Sequence, residues 1–348
     1  MNVTTYGVDI AKNVFQVHWV DAGTGEIHRK KIARGKVSDF FAKRLPGRVA
    51  MEACGGAHHW GRTLTALGHQ VELLPAHQVR AFVSGNKDDA ADARAIWLAA
   101  QHGDLRRVSV KSCQQQAELS LHRMRSHWVG MRTATVNALR SLLYEFGVAL
   151  PRGKRVGMRC LAEHRAEIDA QLPATMVRLL NDQLLALQDI ERHVQAMDQE
   201  IEVVQKTNET AVRLRKVPGI GVLGATALAS VLGDAAAWRS AREFASCLGL
   251  TPGHSGTGGK VRMAGITKRG DTYVRTLLMH GARSVIRAAN PAAWIVQLLE
   301  RRPFNVVVAA VAHKLARIAW AIVANGRQFQ AGWKSLPPVA PQAASANS

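Results

Sequence analysis

The sequence predicts an α/β amino-terminal domain followed by a mainly helical chain. Three observations carry this. Residues 1–104 alternate short β-branched runs with amphipathic stretches. From Leu180 onward apolar residues recur at steps of three and four. Residues 210–330 hold further helical patterns hinged at Gly and Pro. With 348 residues the chain can bury a sizeable core and divide into two or three domains. The boundaries are drawn at 1–104, 105–209 and 210–330, with a Pro/Ala/Ser-rich, disordered tail over 331–348.

Strands are expected at 4–10, 14–20, 26–32, 48–52 and 70–74, and helices near 36–44, 58–67 and 88–102. The first strand reads Tyr6-Gly7-Val8-Asp9-Ile10, and a Lys12-Asn13 turn leads into the second. A hairpin start followed by β-α-β alternation fits a ribonuclease-H-like fold, by analogy alone.

Asp9 sits among apolar residues, where a carboxylate is costly unless a cation meets it. Glu52 follows Val49-Ala50-Met51, and Asp89 and Asp92 share a helix face. Taken singly, Asp9 reads as a turn-facing acid and Asp89 as a helix-start acid favoured by the macrodipole. Taken together, hard oxygen donors at these places suit Mg2+ and phosphodiester chemistry.

The formal charge is +20. It divides as +3 over 1–104, +9 over 105–160, −6 over 161–209 and +13 over 210–330. Two basic blocks around an acidic one point to a polyanionic partner, nucleic acid. The four cysteines are scattered without a Cys-x-x-Cys pair and read as reduced thiols in a cytoplasmic chain. No leader is read at the start, and His313, Lys314 and Arg317 interrupt the apolar stretch 306–323, so no membrane span is expected.

In the first basic block Arg123, Arg125, Arg132 and Arg140 punctuate a helical pattern and are candidates for phosphate contact. Trp128 could stack on a base, although a lone Trp more often packs in a core. The seam Leu184, Leu187, Ile190, Val194, Met197, Ile201 and Val204 reads as a coiled-coil arm for dimerisation or spacing, or as a helix packed within its own domain. Pro218-Gly219-Ile220-Gly221 between two helical patterns reads as a helix-hairpin-helix, with Gly219 and Gly221 approaching a phosphate. An ordinary αα turn is the alternative. Ser255 falls in a glycine-rich loop beside Lys260, Arg262, Lys268, Arg269 and Arg275. Such a loop could cradle a phosphate, with the cations balancing developing charge. From chemistry alone Ser255 reads as a loop serine, because a hydroxyl is a weak nucleophile until activated.

Together these stretches resemble a known family. Gly7-Val8-Asp9-Ile10-Ala11-Lys12, Met51-Glu52-Ala53, Asp89-x-x-Asp92-Ala93-Arg94, Pro218-Gly219-Ile220-Gly221 and the run from Gly249-Leu250-Thr251-Pro252 through Ser255-Gly256 to Gly270-Asp271 match, in order and spacing, DEDD-type insertion-sequence transposases. The family carries a RuvC-like amino-terminal domain and a carboxy-terminal transposase domain. The resemblance implies that Asp9, Glu52, Asp89 and Asp92 bind magnesium and that Ser255 forms a covalent phosphoserine link with DNA. It further implies a composite centre across a homodimer or tetramer, and a bridge RNA that pairs with element-end and target DNA. The doubled acid Asp88-Asp89 leaves the register open, and the step of three to Asp92 favours Asp89. Rival readings are a Holliday-junction-type magnesium nuclease, which needs no Ser255, a sugar-kinase-like ATPase, and a non-catalytic nucleic-acid binder.

Overall fold

The computed structural model describes residues 3–21, 23–83, 89–257 and 260–331. The tail predicted as disordered falls, from residue 332 on, outside them.

The amino-terminal unit runs β1 (Thr5–Asp9), β2 (Val14–Val20), β3 (Ile27–Ala33), α1 (Val37–Ala42), β4 (Arg48–Glu52), α2 (Ala57–Ala66), β5 (Gln70–Leu74), α3 (Ala76–Val79) and α4 (Asp89–Gln101). The strands form a five-stranded mixed sheet in the order β3-β2-β1-β4-β5. β1 to β3 pair antiparallel, and β4 and β5 run parallel to β1. This arrangement is compatible with a ribonuclease-H-like domain.

Strand alternation assigns each face. Tyr6, Val8, Phe15, Val17, Val49 and Met51 pack against Phe41 of α1 and Trp60 and Leu64 of α2. Ala50 and Leu74 meet Ala95, Ile96 and Ala99 of α4 on the opposite face. Gly7 permits the closest approach there. A Cβ on it would lie 2.4 Å from the Ala93 carbonyl oxygen and 2.6 Å from the Trp97 nitrogen. Trp97 Nε1 donates to the Thr5 carbonyl at 3.1 Å and fixes the helix along the strand.

The linker after α4 is tied back to the sheet. Val108 N donates to the Leu73 carbonyl at 2.8 Å, and Arg107 pairs with Glu72 at 2.7 Å. The chain then enters α5 (Cys113–Glu145), started by a capping box between Ser112 and Gln115. Such a cap contributes about 1 kcal/mol. Two short helices, α6 (Lys154–Glu163) and α7 (Arg165–Gln171), lead into α8 (Ala174–Thr207). α8 returns antiparallel along α5, as the cross-pairs Arg125–Asp198 and Trp128–His193 show. Leu187, Ile190, Val194 and Ile201 are buried. The apolar seam expected from the sequence is thus closed largely within the chain, as a helix packed in its own unit.

The carboxy-terminal unit comprises α9 (Glu209–Arg215), α10 (Val222–Leu232), α11 (Ala241–Cys247), β6 (Pro252–Thr257), β7 (Lys260–Ile266), α12 (Thr272–Ile286), α13 (Ala293–Leu299) and α14 (Phe304–Ala324). One core joins Leu214, Leu228, Phe244, Leu278, Val311 and Leu315. α14 is long and apolar enough to cross a membrane by length and composition, yet Val307, Val311, Leu315 and Ile322 are buried in this core.

The hairpin β6–β7 replaces the loop expected around Ser255. Its residues lack apolar alternation because Ser255 and its neighbours on β6 are exposed, so no buried side marks a strand period.

Candidate active site and nucleic-acid interface

The register of the sheet places two of the predicted acids side by side. Val8 of β1 pairs with Met51 of β4, so Asp9 and Glu52 follow at the next positions of adjacent parallel strands. Both share the side of Gly7 and Ala50, the side covered by α4. α4 begins with Asp89, and Asp92 stands at its first turn, just before the Ala93 carbonyl that rests on Gly7. The side chain of Asp89, and all of Asp88, lie outside the described residues.

Electrostatics link the group. Burial raises the Glu52 carboxyl above its ordinary range, and the charge of Asp92 raises it further. Cys54, which carried no signal in the sequence, lies beside them. Its thiol is pushed up by burial, then by Glu52 and Asp9. Among the described residues no three His, Cys, Asp or Glu side chains are drawn together tightly enough to hold a metal ion. The donor set nevertheless fits a hard divalent cation. All three carboxylates are oxygen donors, and the repulsion felt at Glu52 is what such a cation relieves.

Ser255 lies in the other unit, on exposed β6. It pairs with Arg262, and Thr257 pairs with Lys260, so the hydroxyl shares a face with both cations. His254 points to the other face with Met263. The turn beyond is tightly fixed. Gly270 has φ +73°, and a Cβ on it would lie 1.8 Å from the Cys247 carbonyl oxygen. Lys268 adopts φ 56°, left-handed for a residue with a Cβ.

The predicted cations divide into two groups. Arg125 is paired with Asp198 at 2.5 Å, and Arg140 donates to the Pro151 and Gly153 carbonyls. Arg275 is buried and donates to the Leu248 and Arg269 carbonyls at 3.0 and 2.7 Å. These three serve the fold. Arg123, Lys260, Arg262, Lys268 and Arg269 are exposed, and Arg132 is half-exposed. Trp128 stacks on His193 with ring centroids 4.2 Å apart. Gly219 serves packing, since a Cβ on it would lie 2.6 Å from Val285 of α12, whereas Gly221 is exposed at the start of α10.

Between the units lies a buried polar chain that the sequence did not signal. His122 Nδ1 meets the Tyr273 hydroxyl at 2.9 Å and Nε2 meets Thr226 Oγ1 at 3.0 Å. Ser230 donates to Glu118 at 2.5 Å. Burial pushes the His122 imidazole down from 6.5 to about 4, with Arg125 adding to the shift. In the unfolded chain it takes a proton near 6.5, which the folded chain resists down to about 4. Stability therefore falls as pH drops through this window, by on the order of 2 kcal/mol at pH 5. Thermal melts at pH 7 and pH 5 should show a smaller difference in His122→Gln than in the wild type. Equal differences would contradict this.

Two family models match the chain. Residues 6–147 match the DEDD transposase model of IS110 elements, and residues 211–295 match a model described as Transposase IS116/IS110/IS902 family. A probable family 20 transposase of Pseudomonas aeruginosa is 45% identical over 95% of this chain and all of its own length. The chain belongs to the IS110 transposase family. The chain is also similar to the transposase for insertion sequence element IS1328 of Yersinia enterocolitica, 37% identical over 94% of this chain and 99% of its own, and to that for IS1111A of Coxiella burnetii, 34% identical over 95% and 92%. This transposase is an enzyme that cuts and joins DNA. Its DEDD-type domain implies a site of the divalent-metal nuclease kind.

Proposed function

We propose that this transposase excises and inserts its own element with magnesium-holding carboxylates and a serine nucleophile, guided by a bridge RNA. The observation that carries the reading is the convergence of Asp9, Glu52 and Asp92 at one end of β1, β4 and α4. The strand order, with an antiparallel meander beside two parallel strands, supports a RuvC-like catalytic domain.

Asp9, Glu52, Asp89 and Asp92 hold magnesium, which when bound supplies Lewis-acid stabilisation of charge on a phosphoryl oxygen. Ser255 Oγ forms a bond to the phosphorus of the scissile diester. Its proton passes to solvent, the bond to one deoxyribose oxygen breaks, and that oxygen leaves as a hydroxyl after taking up a proton. Attack of a new DNA hydroxyl on the phosphoserine reverses the step and frees Ser255. Lys260 and Arg262, on the same hairpin face, balance the charge that develops at phosphorus. Arg123, Arg132, Lys268 and Arg269 contact phosphates of DNA or RNA. The acids and Ser255 lie in different units, which supports a composite centre completed across a homodimer or tetramer.

Chelation tests the metal reading. Excision of element-end DNA, with the RNA encoded beside the gene, should stop in EDTA and return with excess Mg2+. Undiminished excision in EDTA would contradict it. Cleavage that leaves free ends and is unchanged in Ser255→Ala would select the nuclease alternative.

A further inference from the structure

A cavity of about 780 Å3 opens where the linker after α4, α5, α10 and α12 meet. We propose that it binds one unpaired nucleotide of a nucleic-acid strand through its phosphate, an inference that rests on the transposase acting on nucleic acid but on no step of its chemistry.

Size and charge carry this. The volume lies in the range of small-ligand pockets and exceeds what a single water or ion needs. Arg106, Lys111 and Arg123 line it, and none of them makes an ion pair with a carboxylate among the described residues. Arg107 also lines it but is balanced by Glu72. The lining acids are Asp234 and Asp271, and Asp271 caps α12 by accepting from Val274 N at 3.0 Å.

The cations have been gathered and partly dehydrated. Lys111 Nζ lies 3.3 Å from His58 Nε2, an imidazole that burial pushes down to about 4 and so leaves neutral. Burial and Arg123 lower the Lys111 ammonium as well. Arg62 donates to the Lys111 carbonyl at 2.6 Å, bringing another cation to the cluster. Asp271 offsets part of the charge on Lys111, but the cations lining the cavity outnumber its acids, and an entering phosphate relieves the repulsion that remains. One wall is prepared for a flat group. Arg106 lies over the Trp238 ring at 3.8 Å, a guanidinium plane of the kind that bases stack on, and Tyr273 stands on the α12 side.

The test is binding in EDTA, where no strand is cut. Short fluorescein-labelled single strands of DNA and of RNA are titrated by anisotropy against the wild type, Lys111→Gln/Arg123→Gln and Arg301→Gln. Arg301 is exposed just beyond the end of α13, does not line the cavity and serves as reference. The double variant should bind single strands at least about tenfold more weakly, with a salt slope reduced by about one to two, while Arg301→Gln is unchanged. A larger loss for RNA assigns the pocket to the guide, and for DNA to the substrate. Cys247 on the cavity wall gives a second reading that needs no substitution. Bound single strand should slow its alkylation by iodoacetamide several-fold and leave Cys160 unaffected. Unchanged affinity in the double variant, unprotected Cys247, or duplex binding without single-strand binding would each overturn the pocket. Those results leave the metal and serine chemistry untouched, just as failed excision in the presence of normal pocket binding would count against the chemistry alone.

Discussion

Asp9→Asn is expected to abolish strand cleavage and recombination while leaving the fold and DNA binding in place. Asp9 ends β1 beside Glu52, half-buried beneath α4. The amide keeps the size and one oxygen but removes the negative charge that a divalent cation needs. Lewis-acid stabilisation is worth several kcal/mol in the transition state. Its loss corresponds to about a thousandfold or more in rate. The measurement is single-turnover cleavage of labelled element-end DNA, with circular dichroism and anisotropy as checks on folding and binding. Full-rate cleavage by Asp9→Asn would remove the acids from the mechanism.

Gly7→Ala should destabilise the protein and lose activity together. Its added methyl would lie 2.4 Å from a backbone oxygen and 2.7 Å from Trp97 Cβ. No rotamer relieves a clash with backbone, so α4 must move off the sheet. Overpacking of this kind costs about 3 kcal/mol. Because Asp89 and Asp92 ride on α4, the same shift separates them from Asp9 and Glu52. Gly35→Ala is the control, since nothing lies within 4 Å of a Cβ there. Urea denaturation and cleavage assays should show both losses for Gly7→Ala and neither for Gly35→Ala.

The amino-terminal sheet was legible because its inner strands β1, β2 and β4 bury apolar residues, which writes short apolar runs into the sequence. Expected strands 14–20, 48–52 and 70–74 coincide with β2, β4 and β5. The hairpin carrying Ser255 was not, because its β6 side chains meet solvent and no period distinguishes it from a loop. The apolar seam of α8 was visible, but its partner was not. Heptad-like spacing says that a helix face is covered, and α5 within the same chain covers it as well as a second copy would. The arginines were the least legible. Arg125 and Arg275 look alike in sequence to Arg123, yet their partners Asp198 and the Leu248 carbonyl are supplied by distant segments. The chain of His122, Thr226 and Tyr273 was hidden for the same reason.

In the proposed mechanism Ser255 joins the protein to DNA. This step is tested most directly by incubating the transposase with Mg2+, the RNA encoded beside its gene and labelled element-end DNA, and then running a denaturing gel. A slowly migrating band is expected that protease removes and that Ser255→Ala fails to form, while Asp9→Asn reduces it sharply. Cleaved DNA with free ends, equal in wild type and Ser255→Ala and without the shifted band, would contradict it.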